Sequence, residues 1–254
     1  MRSIFITGTG LWAPGFRDVA AWVPGTPDLA VASAPAELIP AALRRRASPL
    51  SRMVAEAALA AAEQAGVDLG RVAMVLGSAF GEIVAAVEMI GSFREDEGMP
   101  SPMRFHNSVH NAPVAYVSMA TENQGLATAV AAGDETAAVA LQEAIGILAE
   151  RGGDVLLVVA DEAVAPPLRP NRPYAPGAAA LVLSGVETPR ARARLGVPHR
   201  GAAPAIPMPD GFATHPCAGA FALVAAVASG QRGPVPLEFA EDGWVVDVEP
   251  AGAR

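Results

Sequence analysis

The segment "GLATAVAAGDETAAVALQEAIGILAERGGDVLLVVADE", residues 125–162, constrains the fold more than any other stretch of the chain. An apolar, nearly uncharged run (126–132) leads through Gly133 to Asp134. A helical stretch follows (134–150), then the Gly152-Gly153 break and a second apolar run, "DVLLVVA" (154–160). Two strands joined by a helix form a crossover unit, and its strands run parallel. Strands so poor in charge are covered on both faces.

The rest of the chain repeats this alternation. "SIFIT" (3–7) reads as a first strand stopped by the turn "GTG", and "SRMVAEAALAAAEQAG" (51–66) as a helix between a Ser51 N-cap and a Gly66 C-cap. "RVAMVLGS" (71–78) is the next strand and "GEIVAAVEMIGSFRE" (81–95) the next helix, followed by a charged loop at 95–103 and a helix over about 108–121. "GAAALVLSG" (177–185) is another buried strand. The expected class is α/β, a mostly parallel sheet covered by helices.

Past residue 186 the pattern changes. Three arginines fall between 190 and 194 and prolines recur up to 209, as in a linker. A helix (216–230) and a hairpin (235–249) turning at Asp242-Gly243 follow. The expected division is 1–186 and 187–254.

Composition narrows the partners. With a net charge of −8, nucleic acid and anionic membrane surfaces are poor matches. The N-terminus makes a poor signal peptide, and no apolar run is long enough to span a bilayer. The single cysteine, Cys217, excludes an internal disulfide and fits a cytoplasmic location. Its neighbours Ala218, Ala220 and Phe221 point to a buried thiol. His106 and His110, four residues apart, could share a helix face as metal ligands do, but no third ligand lies at a suitable spacing. Neither a metal nor a cofactor is expected. "TGTG" (7–10) lacks the continuation of a dinucleotide loop, since Pro14 does not suit the phosphate turn.

Several segments together resemble the N-terminal half of a β-ketoacyl synthase, of the thiolase-like superfamily. "FITGTGLWAPG" (5–15) resembles the family's opening. "RRRASPLSRMVAEAALAAAEQAG" (44–66) is similar to its first long helix, and "VLGSAFGE" (75–82) to its second strand and turn. "SPMRFHNSVHNAPVAYVSMATENQG" (101–125) is similar to the segment before its nucleophile strand. The likeness covers roughly residues 3–185 and implies a thiolase-like fold with a shortened C-terminal half.

An ungapped count puts Asp134 where the family has its active-site cysteine, and a gapped one matches "TAVAAG" to the family's nucleophile motif and puts Val130 there. Neither residue is a thiol. The family's first histidine motif is missing, and His215 in "THPCAGAFALVAAVASG" is a possible remnant of its second. At a helix N-terminus Asp134 would act as an N-cap, a weak base and a poor acyl acceptor.

The resemblance therefore implies a chain-length-factor-like subunit, closest to the short partner subunits of aryl polyene and xanthomonadin-type pathways. It would pair with an active ketosynthase as a heterodimer and meet an acyl carrier protein through that complex. The expected interface and acyl-tunnel residues are Phe105, His106, Val109, His110, Asn111, Tyr116, Leu126, Thr128 and Val130. The competing reading is an acyltransferase or malonyl-thioester decarboxylase working through Asp134 or through His215 and Cys217. A third is a homodimeric acyl-binding protein.

Overall fold

Gly8 and Gly10 lie inside a strand, not in a turn. Strand β1 (Ile4–Trp12) runs straight through "GTG", with only a register shift between Ile6 and Gly8. The glycines are there for a helix, α3 (Pro49–Ala65), that presses on β1. A Cβ on Gly8 would overlap the Ala61 carbonyl oxygen, and one on Gly10 the Ala57 carbonyl oxygen. The backbones approach this closely because α3 turns alanines (Ala57, Ala58, Ala61, Ala65) to the sheet. Gln64 Oε1 adds a polar tie, accepting from the Thr9 amide (2.7 Å) and hydroxyl (2.9 Å).

The computed structural model describes residues 3–95, 102–164, 168 and 172–252. Short helices α1 (Val19–Trp22) and α2 (Ala41–Arg44) precede α3. Then come β2 (Ala73–Gly77), α4 (Ile83–Glu95), α5 (Pro102–Asn107), α6 (Ala112–Thr121), β3 (Ala127–Val130), a 3₁₀ turn (Gly133–Glu135), α7 (Thr136–Arg151) and β4 (Asp154–Asp161). The chain ends with β5 (Gly177–Ser184), β6 (Ala193–Leu195), β7 (His199–Arg200), α8 (Ala218–Ala228), β8 (Gly233–Pro236) and β9 (Trp244–Pro250). Most of the 95–103 loop lies outside the described residues.

Among the described residues the strands form one sheet, ordered β3-β2-β4-β5-β1-β6-β9-β7, with β8 against β9. The expected crossover unit is present, since β2 is parallel to both β3 and β4. The sheet as a whole is mixed, however, not mostly parallel: β5 runs antiparallel to β4 and β1, and the pairs beyond β1 are antiparallel too. β4 reaches β5 through 162–176 with no crossover helix among the described residues there, so the chain returns beside itself in reverse.

Alternate residues feed two cores. Val155, Leu157 and Val159 face α7 and α8, whereas Leu156, Val158 and Ala160 face α3. The α8 sequence is apolar all round, and its residues are buried on nearly every side. β6 pairs with β1, so a boundary at 186 falls within one hydrogen-bonded sheet.

Local chemistry shifted three element ends. α3 starts at Pro49 with Ser48 as its N-cap, because proline suits the first helical position; Gly66 ends it at φ 70°. The helix expected over 108–121 starts later, as α6, with Pro113 in its first turn, and a separate short helix, α5, precedes it where no helix was expected. β8 and β9 close at Pro236 and Val245, so their connection is 237–243 and not a two-residue turn at Asp242-Gly243. No helix among the described residues is long and apolar enough to cross a membrane.

Candidate functional site

The corner between β3 and α7 falls where the sequence puts it, but Asp134 does not cap the helix. The 3₁₀ turn leaves Asp134 two residues short of the first α-helical residue, and no side-chain cap bond forms there. Thr136 does the local work. Its buried hydroxyl accepts from the Ala132 amide (3.0 Å) and donates to the Gly133 carbonyl (2.7 Å). Gly133 takes φ 56°, which its lack of a Cβ permits. The Asp134 side chain is 64% exposed and pairs with Arg172 at 3.1 Å.

Asp134 and His215 do come together. They line one cavity of about 220 Å³, with Arg172, Thr214, Glu238 and Phe239. Burial drives the His215 pKa down to about 3, so the imidazole is neutral at neutral pH. Its Nδ1 accepts from the Cys217 amide at 2.9 Å, and Nε2 has no partner among the described residues.

Cys217 turns away from that imidazole. It is fully buried, and its thiol donates to Asp161 Oδ2 at 2.9 Å. Burial, and then the Asp161 charge, push the thiol pKa well up. A nucleophile needs an accessible thiolate, and the Cys217 thiol is enclosed and kept protonated by its raised pKa. Among the described residues the thiol makes no hydrogen bond to His215, so the Cys/His route of the enzyme alternative is not assembled.

Asp161 is itself a junction. It is buried and also accepts from Ser78 Oγ (2.8 Å) and from the amides of Ala79 and Phe80 (2.9 Å each). Burial raises its pKa, and these donors oppose the rise. Buried Glu82 accepts from Ser48 and Ser51, at 2.6 and 2.8 Å. Arg200 ties the corner to the C-terminal strands, meeting Glu135 at 2.7 Å and Glu238 at 2.6 Å over the Trp244 ring.

The residues expected at an interface divide. Phe105 (59% exposed), His106, Val109 and Asn111 are exposed. Leu126, Thr128 and Val130 are half-buried on or beside β3, which ends the sheet. Tyr116 is buried, its hydroxyl donating to Asn107 Oδ1 at 2.9 Å. His106 lies in α5 and half-buried His110 in the turn after it, against Gly81, so they do not share a helix face. Among the described residues no three metal-ligating side chains converge. Sequence reasoning missed the exposed apolar residues Phe80, Ile90, Phe93 and Met119. It also missed the buried acids, although the "DE" that closes the apolar run of 155–160 was a visible signal.

The family model described as "Beta-ketoacyl synthase, N-terminal domain" matches residues 20–237. No curated protein matches the sequence. Among solved structures, "Ketosynthase (ApeO) in Complex with its Chain Length Factor (ApeC) from Xenorhabdus doucetiae" is similar at 19% identity and TM-score 0.72, over 98% of this chain and 100% of that one. A type II polyketide acyl-carrier protein in complex with its ketosynthase (AntDE:AntF) gives 16% and 0.75, over 98% and 99%. "The ishigamide ketosynthase/chain length factor" gives 15% and 0.68, over 97% and 98%.

Proposed function

The chain belongs to the β-ketoacyl synthase N-terminal domain family, and from that premise we propose that it is a chain-length-factor-like subunit. It pairs with an active ketosynthase in the cytoplasm, supports it, and shapes the tunnel for carrier-borne acyl chains, in a pathway of the aryl polyene or a related polyketide type. The observation that carries the reading is the end of the sheet: β3 has no neighbour on its outer side among the described residues. Apolar side chains are also exposed on the chain, Phe105 and Val109 among them. An unpaired strand edge is a template for another chain, and exposed apolar side chains suit a protein interface.

The corner chemistry agrees with a supporting role. The only thiol is buried on Asp161, and the exposed Asp134 carboxylate cannot carry a thioester. Similarity to solved ketosynthase and chain length factor complexes supports the same reading.

Co-expression with the ketosynthases of the same organism, followed by affinity capture and mass measurement, tests it. A 1:1 complex is expected, and Phe105→Glu should weaken it without unfolding the chain. A stable monomer that ignores every such ketosynthase, or a complex indifferent to Phe105→Glu, would refute the interface.

A further inference from the structure

A second cavity, of about 520 Å³, opens near the N-terminus of α3, between the ends of β1 and β4. Trp12 and Pro14 line it from the end of β1 and the turn after it, and Met53 from α3. Ala32, Ser33 and Ala34 line it from another side. These three begin an irregular stretch, 32–40, that runs between two fixed points. Val31 is tied to Gly15 by a backbone bond of 2.7 Å, and α2 starts at Ala41.

In that stretch Ala36 takes φ 51°, in the left-handed region that an alanine rarely enters. The other non-glycine residue of this kind among those described, Glu122, ends α6, where left-handed residues are usual. Ala36 ends no helix. A strained residue persists only where its surroundings hold it, and such residues gather at clamps and switches. Here the clamp is visible. The Ala36 amide donates to Glu56 Oε1 of α3 at 2.6 Å, and the Ala36 carbonyl accepts from the Ile39 amide (3.0 Å) and from Arg44 Nη1 (3.4 Å). Arg52 Nη2 of α3 in turn donates to the Arg44 carbonyl at 2.8 Å. Ala34, Ala36 and Ile39 are buried in the cluster that contains Trp12, Leu50 and Met53.

Two effects oppose each other at this point. Leaving the left-handed region relieves Ala36, whereas the half-buried Glu56 carboxylate and a few apolar anchors keep it there. Irregular chain that is strained at its centre and fastened by side-chain bonds opens at a lower cost than the core unfolds. We propose that residues 32–40 are a lid on this cavity, loaded by the strain at Ala36 and latched by Glu56. The lid is distinct from the Asp134 corner and does not depend on the partner-subunit reading.

Hydrogen exchange on the full chain, with alkylation of an Ala34→Cys variant as a second readout, tests it. Amides of 32–40 should exchange through opening of the lid alone, and so faster than those of β4. Ala36→Gly removes the strain and should raise their protection about fivefold or more. Glu56→Leu leaves the Ala36 amide without its acceptor and should lower protection about tenfold. Glu56→Gln, whose side-chain oxygen still accepts, should stay close to the wild type.

Ala34 lines the cavity and is 6% exposed. The thiol of Ala34→Cys, mapped separately from Cys217, should therefore be alkylated only when the lid opens. In each background its rate should change by the same factor as the protection, in the opposite direction. Lid amides that exchange only together with the β4 core, an Ala36→Gly chain no better protected than the wild type, or alkylation that ignores the Glu56 variants would overturn the proposal.

Discussion

A single methyl group on Gly10 tests how tightly α3 is seated on β1. In Gly10→Ala the new Cβ would overlap the Ala57 carbonyl oxygen and lie 2.8 Å from the Ala61 amide nitrogen. Both are backbone atoms of a helix interior, so no rotamer change relieves the clash. α3 must move off the sheet, or β1 must leave its register with β5 at Ala180. Overpacking a tight core costs about 1–3 kcal/mol, and with backbone on both sides the upper end applies. For a domain of this size ~3 kcal/mol lowers Tm by roughly 6–12 °C. Gly146→Ala in α7 is the control: its Cβ meets nothing within 4 Å, and alanine in a helix interior should gain about 0.5–1 kcal/mol. Thermal unfolding followed by circular dichroism reads both. A Gly10→Ala protein melting within about 2 °C of the wild type, on that same scale, would refute the close-approach account of "GTG".

Thr136→Val keeps the shape but leaves the Ala132 amide and Gly133 carbonyl without their hydroxyl partner. Urea unfolding should show a loss of about 1–3 kcal/mol, whereas Asp134→Ala, which removes only an exposed ion pair, should stay within about 0.5 kcal/mol. Equal losses would return the capping role to Asp134. Cys217 should react with iodoacetamide far more slowly in the native chain than after unfolding, because the thiol is buried and its pKa raised. Native labelling as fast as in urea would revive the cysteine-dependent enzyme reading.

Legibility followed the range of the interactions. β4 and β5 were visible as apolar runs because their burial on both faces is written residue by residue. The burial of Cys217 was visible in its apolar neighbours. The role of Asp134 was misread because a carboxylate before a helical stretch looks like a cap, and a 3₁₀ turn of three residues leaves no mark in composition. "GTG" looked like a turn because glycine permits turns, yet here its use is set by α3 more than forty residues later. The Asp161 junction was invisible for the same reason. Its partners come from 78–80 and from 217, and no local pattern links those stretches.

The place of β1 also governs how the chain can be made. It is made before the other described strands, but both of its sheet neighbours, β5 and β6, lie in residues 177–195. At the usual ~5–20 residues per second of synthesis, "IFITGTGLW" waits roughly ten to thirty seconds with both edges unpaired. The crossover unit of β2, β3 and β4 can close meanwhile. During that interval β1 depends on early docking of α1 and α3, the helices made soon after it that pack on it, or on a chaperone. Slowed translation between residues 66 and 177 should therefore lower the soluble yield more than equal slowing after residue 195.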